Sequence, residues 1–238
     1  MQKHPLIVAL DFPTKENVLS FLTPFENREL FVKVGMELFY REGVPFLYDL
    51  KSKGHSIFLD LKLHDIPNTV KRAMQQLASL EVDIVNVHAM GGVQMMSAAK
   101  EGLVAGTPAG GKLPTCIAVT QLTSTSEEMM QKEFMISASL NDHVIHLCGL
   151  VKEAGLDGVV CSAQEVQRIR EEIGSSFYTL TPGIRRKEDA ADDQQRVVTP
   201  FLAAEYGADA IVVGRGITRA DNPVLAYDQY EQEWRRGR

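Results

Sequence analysis

The densest chemistry in the chain is the hexapeptide Asp60-Leu61-Lys62-Leu63-His64-Asp65. It ends an apolar, β-branched run, Ser56–Lys62, that reads as a strand. Side chains alternate along a strand, so Asp60 and Lys62 share one face while Leu59 and Leu61 take the other. A lysine held among carboxylates keeps its proton. An ammonium so placed can stabilise developing negative charge and then donate a proton, which is the equipment a carbanion intermediate needs. The plainer alternative is an internal ion pair with Asp65 capping a helix. Further polar residues at neighbouring strand ends favour catalysis: Asp11 follows the first run, Lys33 lies in the second, Asn86 and His88 end the fourth, and Thr123, Arg185 and Arg215 follow the fifth, seventh and eighth.

A second cluster reads as an anion site. Val212-Val213-Gly214-Arg215-Gly216 closes the last apolar run, and Thr181-Pro182-Gly183-Ile184-Arg185 closes the one before it. Glycine lets backbone N–H groups approach an anion, and arginine clamps phosphate oxygens through two donors at once. Together the two turns point to a phosphorylated ligand.

The elements that must position these residues follow from periodicity. Strands are expected at Leu6–Leu10, Leu30–Val34, Ser56–Lys62, Ile84–His88, Thr115–Val119, Gly158–Cys161, Phe177–Leu180 and Ala210–Val213, with helical spacing between them, as in Ala73, Leu77 and Leu80. Strand alternating with helix implies a parallel sheet, and eight units in 238 residues fit an α/β fold of the (β/α)8 TIM-barrel type, with residues 1–238 forming one catalytic domain. A doubly wound open sheet is the alternative. In a barrel, chemistry sits at the C-terminal ends of the strands, where the residues above fall. The polar stretch Thr181–Arg196 reads as a mobile lid.

Composition narrows the partners. The net charge of −6 argues against a nucleic-acid surface, though a basic pocket on an acidic protein can still take a small anion. No run approaches a membrane helix and no secretory leader is read, so a cytoplasmic location is expected. Cys116, Cys148 and Cys161 show no metal spacing and read as small apolar residues. His64 and His88 belong to no ligand set and read as neutral, hydrogen-bonded side chains; no metal is expected.

The motif Asp60-x-Lys62-x-x-Asp65, with Phe58-Leu59 before it and Ile66-Pro67-Asn68-Thr69 after it, resembles the signature of the orotidine 5′-monophosphate decarboxylase family, of bacterial type. Val8-Ala9-Leu10-Asp11, Lys33-Val34-Gly35, Thr181–Arg185 and Val213-Gly214-Arg215 resemble the family's first, second, seventh and eighth strands, in family order. The resemblance implies a cofactor-free conversion of orotidine 5′-monophosphate to uridine 5′-monophosphate (UMP). Lys62 would protonate carbon 6 of the pyrimidine, flanked by Asp60 and Asp65 in an alternating network with Lys33. Asp11 and Lys33 would bind ribose hydroxyls and Thr123 the pyrimidine. Gly214, Arg215, Gln194 and Arg185 would hold the phosphate. Asp65 and Thr69 would reach the active site of the partner in a homodimer with shared sites.

Two rivals stand beside this reading. Magnesium-dependent sugar-phosphate decarboxylases and aldolases related to 3-keto-L-gulonate 6-phosphate decarboxylase share the Asp-x-Lys-x-x-Asp motif, but carry an acidic residue where this chain has Lys33. A non-catalytic nucleotide binder would account for the anion site, but not for burying three charges at one strand end.

Overall fold

The computed structural model describes residues 4–26, 28–189 and 198–238. Eight parallel strands close into a barrel in chain order: β1 (Leu6–Ala9), β2 (Phe31–Gly35), β3 (Ser56–Leu63), β4 (Ile84–His88), β5 (Thr115–Val119), β6 (Gly158–Val160), β7 (Tyr178–Thr181) and β8 (Ala210–Val213). Closure is direct, because Ile7 of β1 pairs with Phe31 of β2 on one side and Val212 of β8 on the other. The strands β4, β5 and β8 have the bounds expected from sequence, and the others differ by a residue or two at their ends.

Ten α-helices are described outside the strands: α1 (Lys15–Leu22), α2 (Met36–Ser52), α3 (Pro67–Ala78), α4 (Gly92–Gly106), α5 (Glu127–Glu133), α6 (Leu140–Glu153), α7 (Val166–Glu172), α8 (Pro200–Glu205), α9 (Arg215–Thr218) and α10 (Pro223–Arg236). Their starts are written in the sequence. Thr14, Ser126, Ser139, Thr199 and Asn222 each accept a hydrogen bond from a first-turn backbone N–H, a contact whose loss typically costs about 1 kcal/mol. Pro67, Pro200 and Pro223 open their helices, where proline loses no helical hydrogen bond.

Strand alternation makes two apolar layers. Ile7, Phe31, Phe58, Ile84, Ile117 and Leu180 fill the barrel and floor the site. Val8, Val32, Leu59, Val85 and Ile211 face outward into a second core against the helices, with Leu47, Met74 and Met96. Burying each such side chain is worth about 1.5–3 kcal/mol. The helix after β3 is fixed closely: a Cβ at Gly102 or Gly106 of α4 would fall 2.2 Å from the Lys71 carbonyl oxygen or 2.1 Å from that of Gln75, on α3. Only glycine allows this backbone-to-backbone approach. It ties the helix that follows the Asp60–Asp65 segment to the next β/α unit.

Candidate active site

Two residues beyond Phe58, toward the C-terminal end of β3, the barrel's inner face changes from apolar to charged. Asp60 is only 8% exposed there. Its Oδ1 accepts from the Lys62 ammonium at 2.6 Å and from Asn86 Nδ2 at 2.7 Å. Its Oδ2 lies 3.4 Å from the Lys33 ammonium on β2, and that ammonium donates to Asp11 Oδ1 at 3.0 Å, just past β1. Four charges from three successive strands thus alternate in sign: Asp11, Lys33, Asp60, Lys62.

Lys62 has a left-handed backbone, with φ of 50°. Residues with a Cβ rarely adopt this conformation. The cause is local. The pairing of β3 with β4 shifts between Leu59, which lies beside Val85, and Leu63, which lies beside Val87. Four residues of β3 pass two of β4, and the extra length bulges at Lys62. There the Lys62 N–H donates to Asn86 Oδ1 at 2.8 Å, a side chain standing where a strand carbonyl would. Sequence alone marks Asn86 only as a polar strand-end residue. The signal that sets it apart is an amide at an inward position of a buried strand, between Val85 and Val87.

Electrostatics follow from this packing. Burial is the largest single influence on Asp60 and pushes its carboxyl up. Lys33, Lys62 and Asn86 together outweigh it and hold the group below the ordinary carboxylate range. Asp60 is therefore an anion at neutral pH. His88 is pushed down by burial, then by His64 and Lys62. Its Nδ1 accepts from the Met90 N–H, and its ring stacks on His64 at 5.6 Å. That is the neutral, hydrogen-bonded histidine expected from sequence. Burial pushes Cys116 and Cys148 up to about 12 and Cys161 well above the ordinary thiol value, so all three stay protonated.

The remaining described candidates follow the C-terminal ends of the strands. Gly214, at the end of β8, sits against the end of β1: a Cβ on it would lie 3.9 Å from Asp11 Oδ2. Arg215 follows it and is exposed, while Arg185 is buried beyond β7, where Ile184 bridges to Val198. Neither guanidinium is in an ion pair among the described residues. A cavity of about 430 Å³ opens between the ends of β5, β6 and β7, lined in part by Thr123, Ser162, Pro182, Gly183 and Val198. Its size suits a small organic ligand. Asp65 and Thr69 are exposed. Asp65 accepts from the Ile66 N–H and forms no hydrogen bond or ion pair with Lys62; Ile66, not Asp65, is the cap position of α3. Gln194 and the rest of the expected lid from residue 190 onward lie outside the described residues.

Among the described residues, no group of three or more histidine, cysteine or acidic side chains is placed to hold a metal, and no helix is long and apolar enough to cross a membrane.

The family model for the orotidine 5′-phosphate decarboxylase / HUMPS family matches residues 4–230. An orotidine 5′-phosphate decarboxylase of Geobacillus sp. (strain WCH70) is 60% identical over 231 residues, 97% of each chain. That of Bacillus cereus (strain AH820) is 62% identical over 229 residues, 96% of each chain. The crystal structure of orotidine 5′-phosphate decarboxylase from Lactobacillus acidophilus superposes with a TM-score of 0.88 at 44% identity, covering 97% of this chain and 99% of that one. With a match along nearly its whole length, a shared barrel and a charged cluster at the strand ends, this chain belongs to the orotidine 5′-phosphate decarboxylase / HUMPS family.

Proposed function

We propose that the chain decarboxylates orotidine 5′-monophosphate to UMP, the last step of de novo pyrimidine nucleotide synthesis, as a cytoplasmic, cofactor-free carboxy-lyase. The observation that carries this reading is the alternating line Asp11, Lys33, Asp60, Lys62 above an apolar floor. Cleavage of the bond between carbon 6 and the carboxylate releases carbon dioxide and leaves the electron pair in the plane of the ring. Ring resonance cannot absorb it there, so stabilisation must come from a positioned charge. The Lys62 ammonium supplies that charge and then gives its proton to carbon 6, and the amine left behind is reprotonated from solvent.

The other residues take roles around this step. Asp11 and Lys33 bind ribose hydroxyls, Thr123 contacts the pyrimidine, and Arg215, Arg185, Gln194 and the Gly214 backbone hold the phosphate. Binding energy from the phosphate, remote from carbon 6, organises the charges around it. Asp65 and Thr69, exposed and neither hydrogen-bonded nor ion-paired to Lys62 of their own chain, complete the site of a second copy in a symmetric homodimer.

The magnesium-dependent reading of the same motif fits less well. The Lys33 ammonium lies between Asp11 and Asp60, so the positive charge a divalent cation would bring is already there. The test is release of carbon dioxide from orotidine 5′-monophosphate with and without a chelator. Unchanged release supports a metal-free site. Loss of release on chelation, restored by magnesium, supports the rival.

A further inference from the structure

Asn86 touches both Asp60 and Lys62, yet the chemistry above uses neither of its polar atoms. It is 1% exposed, on a strand whose neighbours Val85 and Val87 are apolar. A buried amide is retained at such a place only if its hydrogen bonds are made. Its orientation is dictated by its neighbours. The Lys62 backbone N–H can only donate, so it takes Oδ1, at 2.8 Å. The Asp60 carboxylate can only accept, so it takes Nδ2, at 2.7 Å. The site therefore asks for one acceptor and one donor in a fixed order. Aspartate lacks the donor when ionised, and leucine lacks both.

The backbone shows why this matters at Lys62. The bulge in β3 leaves Lys62 left-handed and takes its N–H out of the regular ladder with β4. The Asn86 oxygen replaces the missing ladder partner. The same side chain, through its nitrogen, holds the carboxylate on which the Lys62 ammonium rests. One residue thus fixes both ends of Lys62, its peptide N–H and the anion at its tip.

We propose that Asn86 is a positioning residue for the reaction: it keeps the β3 bulge closed and Asp60 aimed, so that the Lys62 ammonium points at the reacting carbon. This rests on the proton-donor role proposed for Lys62. Asn86 is buried and acts through Lys62 and Asp60, to which its two polar atoms are bonded.

The test compares Asn86→Leu, Asn86→Asp and Lys62→Ala, each checked for folding by its thermal unfolding midpoint. Asn86→Leu is expected to lower kcat about 100-fold with UMP affinity within about threefold of the parent, since turnover depends on orientation and ground-state binding does not. Asn86→Asp keeps the shape and the acceptor. At neutral pH it sets a second carboxylate against Asp60 and should be slow. As pH falls the introduced carboxyl takes up a proton, its O–H donates to Asp60, and kcat should rise where that of the parent does not. The charged groups around this position are Asp60 and Lys62 on β3, Lys33 on β2 and Asp11 after β1, with the neutral, titratable His88 on β4 itself; β5 presents Ile117. A purely structural role would lower UMP affinity along with kcat and leave the pH profile of Asn86→Asp parallel to that of the parent. Either result overturns the proposal, as does parent turnover in both folded variants. If Asn86→Leu does not fold, the pH profile of Asn86→Asp decides. Lys62→Ala separates the two levels. If it keeps parent turnover, the proton-donor reading fails and Asn86 falls with it. If it is inactive while both Asn86 variants behave as the parent, only the Asn86 assignment fails.

Discussion

The Lys33 ammonium lies 3.4 Å from Asp60 Oδ2, the carboxylate oxygen that Lys62 does not use. A single buried anion therefore serves two cations from neighbouring strands. Removing it leaves two ammonium groups facing each other across a low-dielectric floor, a change that typically costs about 3–5 kcal/mol when a buried pair is broken.

This coupling predicts a pH dependence of stability. The Asp60 carboxyl is held below its ordinary value in the folded chain, so its contribution is fully present above the unfolded carboxylate pKa of about 3.9 and is lost as pH falls through the lower, folded-state value. Urea unfolding of the parent and of Asp60→Asn from pH 7 down to pH 3 should show the stability gap between them narrowing on acidification. A gap that stays constant would mean that the Asp60 charge does not contribute to folding in this way.

The phosphate site proposed at Arg215 predicts a different kinetic pattern. Arg215 follows Gly214 at the end of β8 and is exposed, with no ion-pair partner among the described residues, so it is available to a ligand. Charge-assisted hydrogen bonds are worth about 1.5–3 kcal/mol, so Arg215→Ala should raise KM about 10- to 100-fold. Added phosphite dianion should restore part of the turnover of a substrate lacking its phosphate in the parent protein. An unchanged KM for Arg215→Ala would remove Arg215 from the phosphate site.

Assembly can be tested by complementation. Asp65 and Thr69 are exposed and four residues apart at the start of α3. If each site takes Lys62 from one chain and Asp65 from the other, Lys62→Ala and Asp65→Ala are inactive alone. After subunit exchange, a mixed dimer carries both lesions in one site and neither in the other. Equal mixing should return about a quarter of parent activity. Exchange confirmed by mass with no returning activity would mean that each site is built within its own chain.

Much of this was legible in the sequence because strand alternation is a local property. Asp60 and Lys62 share a face with Phe58, while Leu59 and Leu61 belong to the outer core, as period two requires. The helix start after Asp65 was equally readable, since the first-turn proline Pro67 acts within a residue or two. The left-handed backbone at Lys62 was not, because it arises from a register shift against β4, more than 20 residues away in the chain. Asn86 was legible only as a polar strand-end residue, and its role was not, for the same reason. Its importance lies in what Lys62 and Asp60 need across the strand, and nothing adjacent to it in sequence reveals that.

The role proposed for Lys62 is to supply the charge and the proton at carbon 6. It is tested most directly by carbon dioxide release from orotidine 5′-monophosphate by Lys62→Ala, measured beside the parent at saturating substrate, with UMP affinity determined on the same preparations. Loss of the ammonium should lower kcat at least about 10³-fold while UMP still binds, because the contacts proposed for its phosphate and ribose lie at Arg215, Asp11 and Lys33. Turnover within a few-fold of the parent in a folded Lys62→Ala protein would contradict it.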